Sequence, residues 1–265
     1  MQKEICLYYW TADQEQKNIG DVVTAYILEK MGFKVAASET HFPPDVFRGT
    51  GTMPPDEKIT GIVWGLGYAG HPGSWREHPA TFHAVRGPVS RDLLSLPEDT
   101  PLGDLALLLP RLFSTQRTTP GTLFVGHVEN ESPVNLGTLD AHRIADTWIT
   151  SEHLFESKVQ ELVDADLVLT NSLHASIFCQ AFGTPWALCV PNGNKLPAPL
   201  KWKDWGAYLD IEITPVNTAN EGRKWWSTTG SHGTIRDLTP LVEAFPYPRP
   251  NQSVRARLLT PPDHS

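Results

Sequence analysis

The chain has 265 residues, 40% hydrophobic and 20% charged, which is long and apolar enough for one large or two modest cores and excludes a disordered protein. Its 22 Lys and Arg against 30 Asp and Glu give a net charge of -8, which excludes a general nucleic-acid surface, because that needs a basic footprint. Any anionic ligand must then be met by a few local cations.

The amino end carries a short apolar stretch, Ile5 to Trp10, that Asp13 and Glu15 soon interrupt, too short for a signal-peptide core. No apolar run approaches the roughly 20 residues of a membrane span. Cys6, Cys179 and Cys189 sit in apolar runs without CxxC spacing and read as reduced, buried thiols. These features predict a soluble, cytoplasmic protein.

Ile5 to Trp10 is β-rich and continuous, the pattern of a strand buried on both faces. Asp21 then opens a helix whose Val22, Val23, Tyr26, Ile27 and Met31 form one apolar face, and Gly32 stops it. Phe33–Ala37 is a second strand, Pro43–Asp56 a loop, and Ile59–Trp64 a third strand ending in Gly65-Leu66-Gly67. Phe82–Val85 is a short strand, with Arg86 at its end and Pro88 at the first position of a helix running to Leu96. Leu102 to Leu109 closes the first lobe, and Ser114–Gly121 is a linker by composition.

Leu123–Val125 opens the second lobe, followed by a strand within His142–Ile149 and a helix from Ser151 or Glu152 through Leu162. Leu167–Thr170 is a buried strand, Leu173–Phe182 a buried helix and Trp186–Val190 another strand. Beyond Pro191 the pattern dissolves into Pro, Gly and Trp. Leu238–Phe245 reads as a last helix, and Pro246 onward as an extended or disordered tail. The alternation predicts an α/β protein with parallel sheets in two Rossmann-like lobes, residues 1–118 and 119–245, with the tail at 246–265.

In such sheets ligands bind beyond the carboxyl ends of the strands. Four polar clusters qualify. In Asn18-Ile19-Gly20-Asp21, Gly20 allows close backbone approach and Asp21 either caps the helix or, with Asn18, meets an acceptor hydroxyl. In Trp64-Gly65-Leu66-Gly67, Gly65 and Gly67 leave main-chain N–H groups open to a ligand, although this is not a dinucleotide fingerprint. Arg86-Gly87-Pro88-Val89-Ser90-Arg91 joins a guanidinium to a helix start, which favours a bound anion or an ordinary salt bridge. In Thr170-Asn171-Ser172-Leu173-His174, the histidine must lie in the first turn of its helix, where the dipole disfavours imidazolium. An arriving phosphate dianion would reverse that bias and make His174 a general acid; the plain alternative is a core histidine bonded to a carbonyl. The ten histidines are scattered without metal-ligand spacing, so no metal is expected, nor any cofactor.

The succession N-I-G-D, W-G-L-G-Y, R-G-P-V-S, G-D-L-A-L-L-L-P and A-D-L-V-L-T-N-S-L-H-A-S-I-F-C-Q-A-F-G-T-P-W resembles the polysaccharide pyruvyl transferase family over about residues 5 to 190. The resemblance implies a GT-B-like pair of lobes facing a cleft, phosphoenolpyruvate as donor and a saccharide acceptor, lipid-linked or free, with peripheral contact at the inner membrane face as one location. It implies His174 and Asp21 as the acid and base, with Arg86, Arg91, Asn171, Ser172, Gly65 and Gly67 at the donor and Asn18 at the acceptor. The family motif reads Ser-Arg-Leu-His-Gly; here Ser172 stands in place of its arginine and Ala175 in place of its glycine, so another cation must hold the donor or the donor differs. The alternatives are a GT-B-like glycosyltransferase using a nucleotide sugar and a carbohydrate-binding scaffold that uses Trp202, Trp205, Trp225 and Trp226.

Overall fold

The structure is a computed structural model and describes residues 4–8, 17–37, 45–53, 60–69, 80–127, 134–191, 196, 198–248 and 251–261. Tyr9, Trp10 and Ile59, which the sequence assigns to strands, lie outside these residues.

The first half supplies β1 (Glu4–Leu7), β2 (Lys17–Asn18), α1 (Ile19–Lys30), β3 (Lys34–Ala37), β4 (Phe47–Arg48), β5 (Thr52–Met53), β6 (Gly61–Tyr68), β7 (Ala80–Val85), α2 (Pro88–Leu93) and a 3-10 helix, Leu105–Arg111. Strands β3-β1-β4-β6-β5 form one sheet in that order, with β7 also on β6, and every pair is parallel. The second half supplies β8 (Thr122–Val125), α3 (Leu136–Leu139), β9 (Arg143–Ala145), β10 (Trp148–Ile149), α4 (Phe155–Val163), β11 (Leu167–Thr170), α5 (Leu173–Ala181) and β12 (Trp186–Leu188). Its sheet runs β12-β11-β8-β9, again all parallel. The chain is thus an α/β protein of two Rossmann-like parallel sheets. A short antiparallel pair, Asn18 with Trp148 and Lys17 with Ile149, ties the halves together.

α1 begins at Ile19, two residues earlier than the sequence suggests, because Asn18 and not Asp21 caps it: Asn18 Oδ1 accepts the Gly20 N–H at 3.0 Å. Its end matches the expected glycine stop. Gly32 sits at φ 88 and the Phe33 N–H reaches back to the Leu28 carbonyl, closing the helix with a left-handed turn.

The stretch expected as a loop at Pro43–Asp56 contains β4 and β5, both threaded onto β6. β6 itself runs through Gly65 and Gly67 to Tyr68, so these glycines lie within a strand and not beyond it. Gly65 adopts φ 92 where the register against β7 shifts, a bulge that only glycine tolerates readily.

After β12 come α6 (Pro199–Leu209), α7 (Ala219–Thr228), α8 (Thr239–Glu243) and α9 (Gln252–Leu259). α6 packs on α2 and β6, and Trp64 donates its indole N–H to the Leu241 carbonyl at 2.7 Å, so this part of the chain returns to the first sheet. Trp64 is fully buried against Phe47 and Phe245. Burying an indole of about 150–250 Å² contributes roughly 4–6 kcal/mol at most. Within the stretch expected to be an extended or disordered tail, Gln252–Leu259 form the helix α9: Asn251 caps it by accepting the Val254 N–H, Leu258 is fully buried, and Arg257 donates to the Leu112 carbonyl. Among the described residues no helix is long and apolar enough to cross a membrane.

Candidate active site

Three strand-to-helix corners converge at the carboxyl edges of the sheets. The tightest is the turn after β11. Thr170 Oγ1 donates to the Val125 carbonyl and accepts the Ser172 N–H, which fixes the turn so that α5 starts at Leu173 and His174 falls in its first turn. Ser172 stands at the cap position but makes no side-chain cap bond.

His174 packs directly on the first turn of α1. A methyl group at Gly20 would lie 1.9 Å from His174 Nδ1 and 2.3 Å from Cγ, so only a glycine there admits the ring. His174 Nε2 also lies 3.8 Å from Asp104 Oδ2, and both buried atoms are without a hydrogen-bond partner. Asp104 is fully buried and caps the 3-10 helix by accepting the Ala106 N–H at 3.0 Å. The Gly65 bulge makes room for this corner, since a side chain there would meet Leu105 and the Gly103 carbonyl at 3.1–3.2 Å.

The electrostatics follow from burial. Desolvation, aided by the charge of Asp104 and opposed by Lys201, raises the Asp21 carboxyl to about 7. Desolvation raises Asp104 to about 6, against the pull of Arg86 and the Ala106 N–H. His174 moves the other way, down to about 3, through burial first and then the positive charges of Arg86 and Lys201. The imidazole is therefore neutral at pH 7, Asp21 holds a proton up to near neutrality, and Asp104 is mostly ionised there.

Arg86 is fully buried and turned inward. It pairs with Asp204 of α6 at 3.3 Å and donates to the Gly51 carbonyl and Thr52 Oγ1. Asp204 also accepts the Ser90 N–H and hydroxyl at 2.9 and 2.8 Å, so the anion expected at Arg86 and the start of α2 is the chain's own carboxylate. Gly67 is a glycine because Arg86 lies against it: a Cβ would sit 2.1 Å from Nη2. Arg91 is not brought to the cluster; it bonds Asp92 and the Glu98 carbonyl. Asn18 is engaged as the cap of α1, and Asn171 Oδ1 accepts the His127 N–H at 2.7 Å.

Four cluster members were not singled out from sequence: Asp104, His127, Lys201 and Asp204. Asp104 hid in an apolar run, and the last two in the tryptophan-rich stretch. Trp202, Trp205 and Trp225 are buried there, which leaves no aromatic platform of all four rings for a sugar. Among the described residues no group of three or more His, Cys, Asp or Glu is assembled to hold a metal ion.

The chain is thus an α/β protein in which an imidazole and two buried carboxyls meet where its two parallel sheets face each other's corners. No family model matches the chain. It is 22% identical over 235 residues, covering 83% of this chain and 72% of the other, to the succinoglycan biosynthesis protein ExoV of Rhizobium meliloti (strain 1021). A crystal structure of an uncharacterized protein from Klebsiella pneumoniae subsp. pneumoniae aligns with TM-score 0.46 and 12% identity, over 81% of this chain and 92% of that one.

Proposed function

We propose that the protein transfers a pyruvyl group from phosphoenolpyruvate to a sugar of an exopolysaccharide or other cell-surface glycan, forming a cyclic ketal. The observation that carries the reading is the facing of His174 and Asp104 beside Asp21, within a chain whose motif order resembles the pyruvyl transferases and whose relative is named for succinoglycan biosynthesis.

The reaction needs one acid at the enol carbon and one base at a sugar hydroxyl. From sequence the imidazole is the acid and Asp21 the base; the electrostatics favour the reverse. With His174 at about 3 and Asp21 at about 7, the protonated-imidazole, ionised-carboxylate form is at best roughly 1 part in 10,000 of the free protein. Asp21 therefore gives its proton to the methylene carbon, which becomes the methyl group. A sugar hydroxyl oxygen bonds the adjacent carbon and passes its proton to His174, oriented by Asp104. Phosphate leaves with the electrons of its C–O bond and that proton. The second hydroxyl takes its place on the same carbon, and its proton restores Asp21.

The test is phosphate release from phosphoenolpyruvate with an oligosaccharide acceptor, read together with the acceptor's mass. The expected result is one phosphate per ketal, with kcat/KM falling as pH rises past about 7, where Asp21 ionises. Transfer from a nucleotide sugar, with no release from phosphoenolpyruvate, would overturn the reading in favour of a glycosyltransferase.

A further inference from the structure

Ser172 leaves the turn before His174 without the arginine that the resemblance calls for, and Arg86 is committed to Asp204. A second buried positive charge in the cluster comes from elsewhere in the chain. Lys201, in the first turn of α6, is 7% exposed, and its ammonium lies 3.3 Å from His127 Nε2. The backbone N–H of His127 is donated in turn to Asn171 Oδ1. Asn171 belongs to the same turn as Ser172 and His174, so two links connect Lys201 to the point where the arginine is missing.

The charge of Lys201 reaches three titrating members of the cluster. It lowers Asp21, His174 and His127 alike. His127, brought down to about 4 by burial and by Lys201, is neutral at pH 7, so its Nε2 lone pair can face the ammonium without adding a second positive charge. The geometry is that of a cation seated by a neutral imidazole, on the side of the cluster that carries Asn171.

We propose that Lys201, seated by His127 and Asn171, receives an anionic group of the donor, its carboxylate or its phosphate, in place of the arginine absent at Ser172. This rests on the pyruvyl-transfer reading for the identity of the donor, not for the anion site itself. A lysine supplies a point charge and gives up the two-pronged contact of a guanidinium, so the site demands less of the anion's orientation than an arginine would.

Titration calorimetry with phosphoenolpyruvate, inorganic phosphate and pyruvate, each on its own, tests the assignment. Lys201→Met is expected to weaken phosphoenolpyruvate about 10- to 100-fold, the range of one charge-assisted hydrogen bond, while Lys201→Arg keeps affinity within a few-fold. Of the two fragments, the one whose binding depends on Lys201 identifies the group received. An arm on the unaltered protein follows the His127 ring by NMR: the bound anion should offset the ammonium and raise the imidazole from about 4. Equal binding of all three probes by the wild type and Lys201→Met overturns the inference. So does a His127 titration that phosphate and pyruvate leave unmoved, which decides the matter even if the variant fails to fold. Lys201-dependent binding of a fragment without any binding of phosphoenolpyruvate would uphold the anion site and sink the pyruvyl-transfer reading.

Discussion

Gly20→Ala separates the seat of His174 from the stability of the fold. In an isolated helix the change is favourable by about 0.5–1 kcal/mol, because alanine loses less backbone entropy than glycine. Here the added methyl would stand 1.9, 2.3 and 2.6 Å from Nδ1, Cγ and Cε1 of His174, well inside contact distance. The ring must retreat by about 1.5 Å to restore ordinary packing near 3.4 Å, and overpacking of this kind costs about 1–3 kcal/mol. The two terms leave a net loss of about 0–2.5 kcal/mol, readable in urea unfolding. A displacement of about 1 Å at a reacting group can cost roughly 100-fold in rate, so turnover in the phosphate-release assay should fall at least that far while the protein stays folded. In a His174→Ala background the clash disappears, and the same Gly20→Ala change should stabilise; the non-additivity measures the contact directly. Wild-type turnover by Gly20→Ala would refute the reasoning, because a ring seated as described could not stay in place.

Two further outcomes follow from the buried charges. Asp204→Ala or Arg86→Ala leaves a fully buried partner unpaired and should destabilise by about 3–5 kcal/mol in chemical unfolding, whereas a stable Arg86→Ala protein that had merely lost donor affinity would contradict the clamp. Asp21→Asn should raise the melting temperature at pH 8 and not near pH 4. The folded carboxyl, at about 7 against 3.8 when unfolded, holds its proton through that window, so wild-type stability falls as pH rises across it and the amide escapes the loss. An equal gain at both pH values would show that the carboxyl is not raised.

The parts of the site legible in the sequence are those written in local pattern. Leu167–Thr170 followed at once by Leu173 left no room for His174 except the first turn of α5, and that is where it lies. The helix after β2 was legible too, but its start was read at Asp21 because two cap-forming residues compete there and only the Asn18-to-Gly20 bond decides between them. What stayed hidden depends on contacts across the chain. The electrostatic logic at Arg86 was sound, yet the anion it attracts is Asp204, 118 positions away, which no local pattern reveals. Asp104 reads as one polar residue before an apolar run until the Gly65 bulge brings its corner under His174. β4 and β5 are two residues each, too short to leave any periodicity, and the proline content after residue 246 masked a helix set by one cap and one buried leucine.

Arg86 and Lys201, the two buried cations of the cluster, divide the labour between them. Arg86 is paired with Asp204, and its field also acts on the cluster: it lowers Asp104, keeping that carboxyl from rising further, and it lowers His174, keeping the imidazole neutral. Lys201 acts in the same direction on His174 and also on Asp21. The two are mechanically joined, since Asp204, which pairs with Arg86, sits three residues after Lys201 on α6, one helical turn away on the same side. The ion pair that docks α6 on the first sheet therefore also sets where Lys201 stands relative to His127 and Asn171 of the second. Arg86 and Asp204 are in this sense positioning residues for a charge neither of them carries, and the acid–base balance of the cluster exists only when both sheets and the returning helix are in place together.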